Sequence, residues 1–200
     1  ARATPAPTLR PAAVPFPPRL DAVHWILLAA CASVLLMAVS SHLTQNVAAI
    51  PFLWVLPLGI YLLTFILCFD GNGWYRRGTF VPAVFFAVWA MTFLIGPEVE
   101  ALTLWILLPV FAAGLFVCCM VCHGELALLR PHPAHLTAFY LCIAAGGALG
   151  GLFVGLVAPR VFSGIWELPL GLGACVVLLL AAVWRRPPTR LTPALFRPVW

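Results

Sequence analysis

The sequence predicts an all-α integral membrane protein, a bundle of about six transmembrane helices with both termini in the cytoplasm. The chain is 64% hydrophobic and 8% charged, whereas a soluble domain carries about 25% charged residues. The apolar residues are gathered into six long runs. Ten of the eleven basic residues, all of them arginines, fall in alternate gaps between those runs.

Each run is long enough to approach or cross a bilayer, whose core of about 30 Å needs roughly 20 apolar residues in a helix. The predicted spans are Val23–Ser41, Val47–Phe69, Thr79–Ile95, Ala101–Cys122, Leu136–Val157 and Ile165–Trp184. None carries a charged residue near its middle, where an arginine costs about 2.5 to 3.5 kcal/mol. We expect residues 1–21 to be a proline-rich linker to upstream sequence, 22–184 the six-helix transmembrane domain, and 185–200 a basic, proline-rich cytoplasmic tail.

Arginine placement predicts the orientation of the bundle. Arginines precede the first run, separate the second from the third and the fourth from the fifth, and follow the sixth. The opposite gaps hold Arg160 with Glu98 and Glu100. By the positive-inside rule the arginine-rich gaps face the cytoplasm. Since a lysine-free, alanine- and proline-rich composition is typical of GC-rich bacteria, we expect a multi-pass protein of a bacterial inner membrane. Anionic headgroups account for the net charge of +5, so no nucleic-acid partner is expected.

Cysteines and histidines offer two metal-related hypotheses. Cys119, Cys122 and His123 match the C-x-x-C-H attachment motif of c-type haem, but they fall at the predicted cytoplasmic end of the fourth span, whereas covalent haem attachment normally occurs on the other side of the membrane. Alternatively, Cys119 and Cys122 join His132 and His135 in a tetrahedral zinc site. We prefer packed, apolar cysteines and solvated histidines, and therefore predict no cofactor, with zinc and haem as alternatives.

Gly147, Gly151 and Gly155 repeat every four residues in the fifth span. Small residues at this spacing let a second helix backbone approach closely. We interpret the stripe as a packing groove inside the bundle, with a dimer face or a groove for a lipid or cofactor as alternatives.

The remaining polar candidates within or beside the spans all lie near span ends. They are His24, His42, Gln45, Asn46, Glu125 and Glu167. Gln45 and Asn46 are expected in the hairpin between the first two spans. Because no ionisable residue marks a midplane ion path, an ion-coupled transporter is not expected from this chain alone, and no catalytic residue is predicted.

Several sequence segments resemble the membrane region of bacterial spermidine-synthase-like proteins, which fuse a major-facilitator-like domain to an aminopropyltransferase-like domain. They are HLTQNVAAIPFLWVLPL (42–58), YLLTF (61–65), MVCHGEL (120–126), HLTAFY (135–140) and GGALGGLF (146–153). The resemblance covers roughly residues 20–185. Nothing in this sequence matches the catalytic domain, so no enzymatic activity is expected.

Three functional hypotheses follow. The first is a non-catalytic polytopic subunit that anchors, scaffolds or stabilises a larger inner-membrane assembly, with lipids and other membrane subunits as partners. The second is half of a major-facilitator-like transporter or sensor for a small solute such as a polyamine, which requires a second six-helix half. The third is a metal- or haem-binding redox membrane subunit.

The predicted orientation is testable because the chain contains no lysine. A membrane-impermeant amine reagent applied to intact cells should label an Arg160→Lys variant and leave an Arg76→Lys variant unlabelled. Both substitutions keep the positive charge that sets topology. Labelling of Arg76→Lys in sealed cells would reverse the orientation.

Overall fold

A computed structural model describes residues 18–47, 53–71, 73–95, 104–162 and 166–185, without the side chains of residues 45–47 and 104. The predicted linker up to residue 17, the tail from residue 186, and the side chains of Gln45 and Asn46 therefore lie outside the described part. Within that part the structure is helical and has no strand, so the all-α prediction is confirmed there.

The main helices are α1 Arg19–Val47, α2 Val55–Phe69, α3 Arg77–Phe93, α4 Leu104–Leu128, α5 Leu136–Leu152, α6 Ala158–Val161 and α7 Glu167–Arg185. A 3-10 turn, Pro133–His135, leads into α5, and a π-helical turn, Phe153–Val157, joins α5 to α6. The segment from α5 to α6 therefore acts as one long helix, and the described residues contain six long helical segments.

Four segments are long and apolar enough to cross a membrane: Arg19–Thr44, Trp105–Leu128, Pro133–Val161 and Glu167–Arg185. The other two long helices, α2 and α3, are apolar but have only 15 and 17 residues. A membrane protein is therefore supported by length and composition at four of the six predicted spans.

The predicted boundary between the first two spans was wrong. Helix α1 continues to Val47, so Gln45 and Asn46 belong to its last turn and not to a hairpin, and α2 begins only at Val55. Pro57 explains part of this. It is the third residue of α2, in the first turn, where its missing N–H costs no helical hydrogen bond.

Helices α1 and α4 form the centre of the bundle. Helix α1 packs against α4, α5 and α7, while α4 packs against α1, α2 and α3. Their facing side chains, including Leu35, Val39, Phe111 and Leu115, have no exposed surface. These two helices are the most buried of the bundle, since each contacts four others.

The main helix–helix contacts repeat on the two sides of the bundle: α1 packs against α5 and α7 as α4 packs against α2 and α3. The repeat therefore relates α1 to α4, α2 to α5 and α3 to α7. The two halves also run in opposite directions: α1 and α3 begin at the end of the bundle where α4 and α7 terminate. We call this the arginine end, because Arg19, Arg77 and Arg185 lie there. The fold is thus two inverted three-helix units packed through α1 and α4.

The predicted glycine groove was wrong by one residue. A Cβ atom on Gly146 would collide with the Ile26 carbonyl of α1, and one on Gly150 with the Ala30 carbonyl. By contrast, a Cβ on Gly147 or Gly155 would meet nothing within 4 Å, and one on Gly151 only the Ser33 hydroxyl at 4.0 Å. The glycines that allow close approach are therefore Gly146 and Gly150.

Alanine substitutions should separate the two glycine faces. Gly150→Ala should destabilise the protein by about 1–3 kcal/mol, the usual cost of overpacking, because the Ala30 carbonyl cannot move freely. Gly147→Ala should be neutral, or stabilising by up to about 1 kcal/mol, because alanine restricts the unfolded chain more than glycine. Thermal unfolding in detergent measures both. Equal effects of the two variants would contradict the described α1–α5 contact.

Candidate functional site

The arginine end contains a buried carboxylate, that of Glu125, which has no exposed surface near the end of α4. Arg77, the first residue of α3, donates from Nε to Glu125 Oε1 at 2.7 Å and from Nη2 to Oε2 at 2.5 Å. Tyr75 donates its hydroxyl to Oε1 at 2.8 Å. A bidentate, charge-assisted pair of this kind is among the strongest hydrogen-bonded arrangements in proteins.

The residue that precedes Glu125 in the sequence helps to position this cluster. Gly124 provides the space, since a Cβ there would collide with the ring of Tyr75. Burial, and then the neighbouring Glu125 carboxylate, raise the pKa of Tyr75 above its ordinary value. The phenol therefore stays protonated at physiological pH and remains a donor to Glu125.

A second pair joins α1 to α7. Arg185 donates from Nη2 to Asp21 Oδ1 at 2.9 Å and from Nη1 to His24 Nδ1 at 2.9 Å. His24 Nδ1 is also 3.1 Å from the Leu20 carbonyl oxygen. A guanidinium can only donate and a carbonyl can only accept, so these two contacts require different tautomers of His24. Arg185 therefore contacts both Asp21 and His24, which lie three residues apart on α1.

The two pairs face each other across a very small cavity. It has a volume of about 10 Å³ and is lined by His24, Arg77, Glu125, Leu129, Ala182 and Arg185. The buried Nε2 atom of His24 has no hydrogen-bond partner among the described residues. A cavity of this size has room for about one water molecule, which needs polar partners of this kind. It has no room for an organic solute.

His123 lies two residues before Glu125, about half a turn deeper in α4, and is 1% exposed. Its Nδ1 is 3.0 Å from Thr64 Oγ1 of α2, and that hydroxyl donates to the Tyr61 carbonyl at 2.8 Å. A hydroxyl has one proton, so Nδ1 must donate to Thr64 and Nε2 is unprotonated in the neutral ring. The Tyr61 and Phe65 rings contact the imidazole edge-on, at centroid distances of 4.9 and 5.3 Å.

The structure does not bring the predicted haem ligands toward one group. Cys119 and Cys122 have no exposed surface. Cys122 faces Cys175 of α7, whereas His123 faces Thr64 of α2. The motif therefore lies in one continuous helix and directs its side chains toward different neighbours.

The predicted zinc ligands are also separated. His132 is exposed and accepts a hydrogen bond from the Ala134 backbone, and His135 belongs to the 3-10 turn. Among the described residues, three or more ligand atoms within 4.8 Å of one another occur at Cys31, Cys122 and Cys175 only. Of the four predicted zinc ligands, this group retains only Cys122.

The other polar candidates lie apart from the arginine-end cluster. His42 is buried against Phe111, with ring centroids 4.5 Å apart. Glu167 is in the first turn of α7, where the helix dipole favours a negative charge. Its Oε2 atom has no hydrogen-bond partner among the described residues.

Sequence reasoning missed Tyr75, Thr64, and the role of Arg77, which it used only as a marker of orientation. One signal was available. Glu125 is the only acidic residue between the fourth and fifth apolar runs, and a carboxylate near a membrane span needs a cationic partner.

Comparison with protein-family models, with curated proteins and with solved structures gives no match in any of the three.

The adjacent arginines Arg76 and Arg77 provide a matched test of the buried pair. Arg77→Ala leaves the Glu125 carboxylate buried without its cation and should cost about 3–5 kcal/mol, a fall of more than about 5 °C in the thermal midpoint in detergent. Arg76→Ala removes the same charge from an exposed side chain and should change stability by less than about 0.5 kcal/mol.

A double-mutant cycle isolates the interaction itself. Glu125→Ala should cost markedly less in the Arg77→Ala background than in the unmodified chain. Additive effects would show that the two side chains do not interact.

Proposed function

We propose that this chain is a non-catalytic polytopic membrane subunit that anchors or stabilises a larger membrane assembly. The observation that carries this proposal is the arginine end. Its buried carboxylates, Asp21 and Glu125, are bonded to Arg185 and Arg77. The cavity between the two pairs, about 10 Å³ in volume, accepts no substrate. These charges hold helices together and are not available for binding a solute.

The outer surface supports the same proposal. In Pro133–Val161 only 22% of the most apolar stretch is buried, compared with 50% in Arg19–Thr44. Helix α5 contacts α1 on one side and offers a long apolar surface on the other. On α3, the rings of Phe86, Trp89 and Phe93 form another exposed strip, with centroids 5.8 and 6.0 Å apart along it. Surfaces of this kind suit lipid tails and neighbouring membrane helices.

The second candidate function is half of a major-facilitator-like transporter or sensor. The inverted pair of three-helix units favours it, because six-helix halves of that fold are built from such nested repeats and their solute sites lie between two halves. The resemblance to the membrane region of spermidine-synthase-like proteins is consistent with both candidates. In this second case the solute site is completed by another six-helix unit and is not contained in this chain.

Both candidates place the chain in a bacterial inner membrane with the arginine end toward the cytoplasm. They differ in the partner that they require. The first requires a membrane subunit of another kind, and the second requires a second six-helix half.

Affinity purification of the tagged chain in mild detergent, followed by native mass spectrometry, distinguishes these cases. We expect a membrane protein to co-purify at a fixed stoichiometry, and an untagged preparation is the control. If the partner is another six-helix chain and the pair moves a solute into reconstituted vesicles, the transporter candidate is supported. A solitary monomer that fully complements a deletion strain would contradict both candidates.

A further inference from the structure

Three cysteines from three different helices meet in the centre of the bundle. Cys31 of α1, Cys122 of α4 and Cys175 of α7 are 5%, 0% and 1% exposed. Their sulfur atoms all lie within 4.8 Å of one another, and the Sγ atoms of Cys122 and Cys175 are 3.9 Å apart. The cysteines are not disulfide-bonded, and these distances are far longer than a sulfur–sulfur bond of about 2.05 Å.

We propose that Cys31, Cys122 and Cys175 form a binding site for a single Cu(I) ion. This inference does not depend on the proposed anchoring role and concerns a site elsewhere in the chain.

The spacing of the Cys122 and Cys175 sulfurs matches a three-coordinate metal. With metal–sulfur bonds of about 2.3 Å, as in zinc thiolates, a planar trigonal site places its sulfurs about 4.0 Å apart. The observed distance of 3.9 Å between Cys122 and Cys175 fits this without movement of either helix. The three sulfurs also come from separate helices, so they surround a central point.

The donor set selects the metal. All three ligand atoms are soft sulfurs, which suit Cu(I), zinc and iron–sulfur clusters. Structural zinc is almost always four-coordinate, and the group of mutually close ligand atoms has three members among the described residues. Cys118 lies beside Cys175 but is not part of that group. A trigonal sulfur site therefore favours Cu(I) over zinc.

The cost of a buried charge limits how many thiol protons are released when Cu(I) binds. The cysteines share their buried cluster with apolar side chains such as Leu35, Leu172 and Leu179, and a net charge in such surroundings is costly. When Cu(I) binds and one thiol proton is released, the site remains neutral. Each further proton lost adds a buried negative charge.

An apolar cavity borders the site. A cavity of about 420 Å³ lies between α1 and α7, and Cys31 and Gly171 are in its wall. The Cys31 thiol donates to the Gly171 carbonyl at 3.7 Å, so Cys31 belongs both to the cavity and to the sulfur cluster.

Copper titration of the complete chain tests the proposal. The metal-free protein, purified anaerobically in detergent, is titrated with Cu(I) against a chromophoric Cu(I) chelator. We expect one tightly held ion per chain. Cys122→Ala and Cys175→Ala should each weaken binding by more than about 100-fold, since even outer partners of a metal site contribute about 10- to 100-fold.

Two controls are built into the chain. Cys142→Ala alters a half-buried cysteine of α5 outside the cluster, and His132→Ala alters a ligand of the zinc hypothesis. Both variants should bind copper like the unmodified protein. Failure of the unmodified chain to hold Cu(I), or equal losses in Cys142→Ala and Cys122→Ala, would overturn the site and leave the cysteines as apolar packing.

X-ray absorption of the copper-loaded, unmodified protein gives an answer that does not rely on any variant folding correctly. Three sulfur neighbours at about 2.3 Å would support the site. Nitrogen or oxygen ligands would overturn it.

Discussion

The arrangement of the helices depends on how the fully buried carboxylate of Glu125 is neutralised within a largely apolar chain. Glu125 has no exposed surface, and an unpaired charge in such surroundings costs several kcal/mol. Tyr75 lies in the α2–α3 connection, and Arg77 is the first residue of α3. Their hydrogen bonds to Glu125 therefore require α3 to lie against the end of α4. Arg185 and Asp21 impose the same condition on α1 and α7. The arginine end is therefore fixed by electrostatics, while the remainder of the bundle relies on packing.

Two kinds of close packing occur around the central helices α1 and α4. Between α1 and α5 the backbones approach closely, because Gly146 and Gly150 present no side chain to the carbonyls of Ile26 and Ala30. On the other side, Gly114 accommodates the Met91 side chain of α3. Small residues thus allow backbone contact between α1 and α5 and side-chain insertion between α3 and α4. The counterpart of the second contact in the inverted repeat, between α1 and α7, also places side chains against a glycine, since Leu35 and Val34 contact Gly171.

The sequence was sufficient for the helices, because an apolar run of about 20 residues with few charges has few alternatives to a helix in lipid. The sequence was not sufficient to show which face of each helix is buried. The glycine-rich run contains two overlapping four-residue repeats, Gly146 with Gly150 and Gly147 with Gly151, and only contact with α1 decides which of them is buried. Similarly, Arg77 and Glu125 are 48 residues apart, and Cys31 and Cys175 are 144 apart. Nothing in local spacing indicates that such pairs meet. For the cysteines the sequence analysis preferred apolar packing, and its zinc alternative used a neighbouring pair with two loop histidines.

The π-helical turn at Phe153–Val157 explains how α5 follows α1 over its whole length. In an α-helix with 3.6 residues per turn, positions four apart rotate by about 40° at each step, so a contact line with that spacing soon winds away from a straight neighbour. A π-helical turn is wider and takes up an additional residue. As a result Val154 and Ala158 remain buried on the line that starts at Gly146 and Gly150. The local widening corrects the winding of the helix, and deletion of a single residue there would turn its far end away from α1.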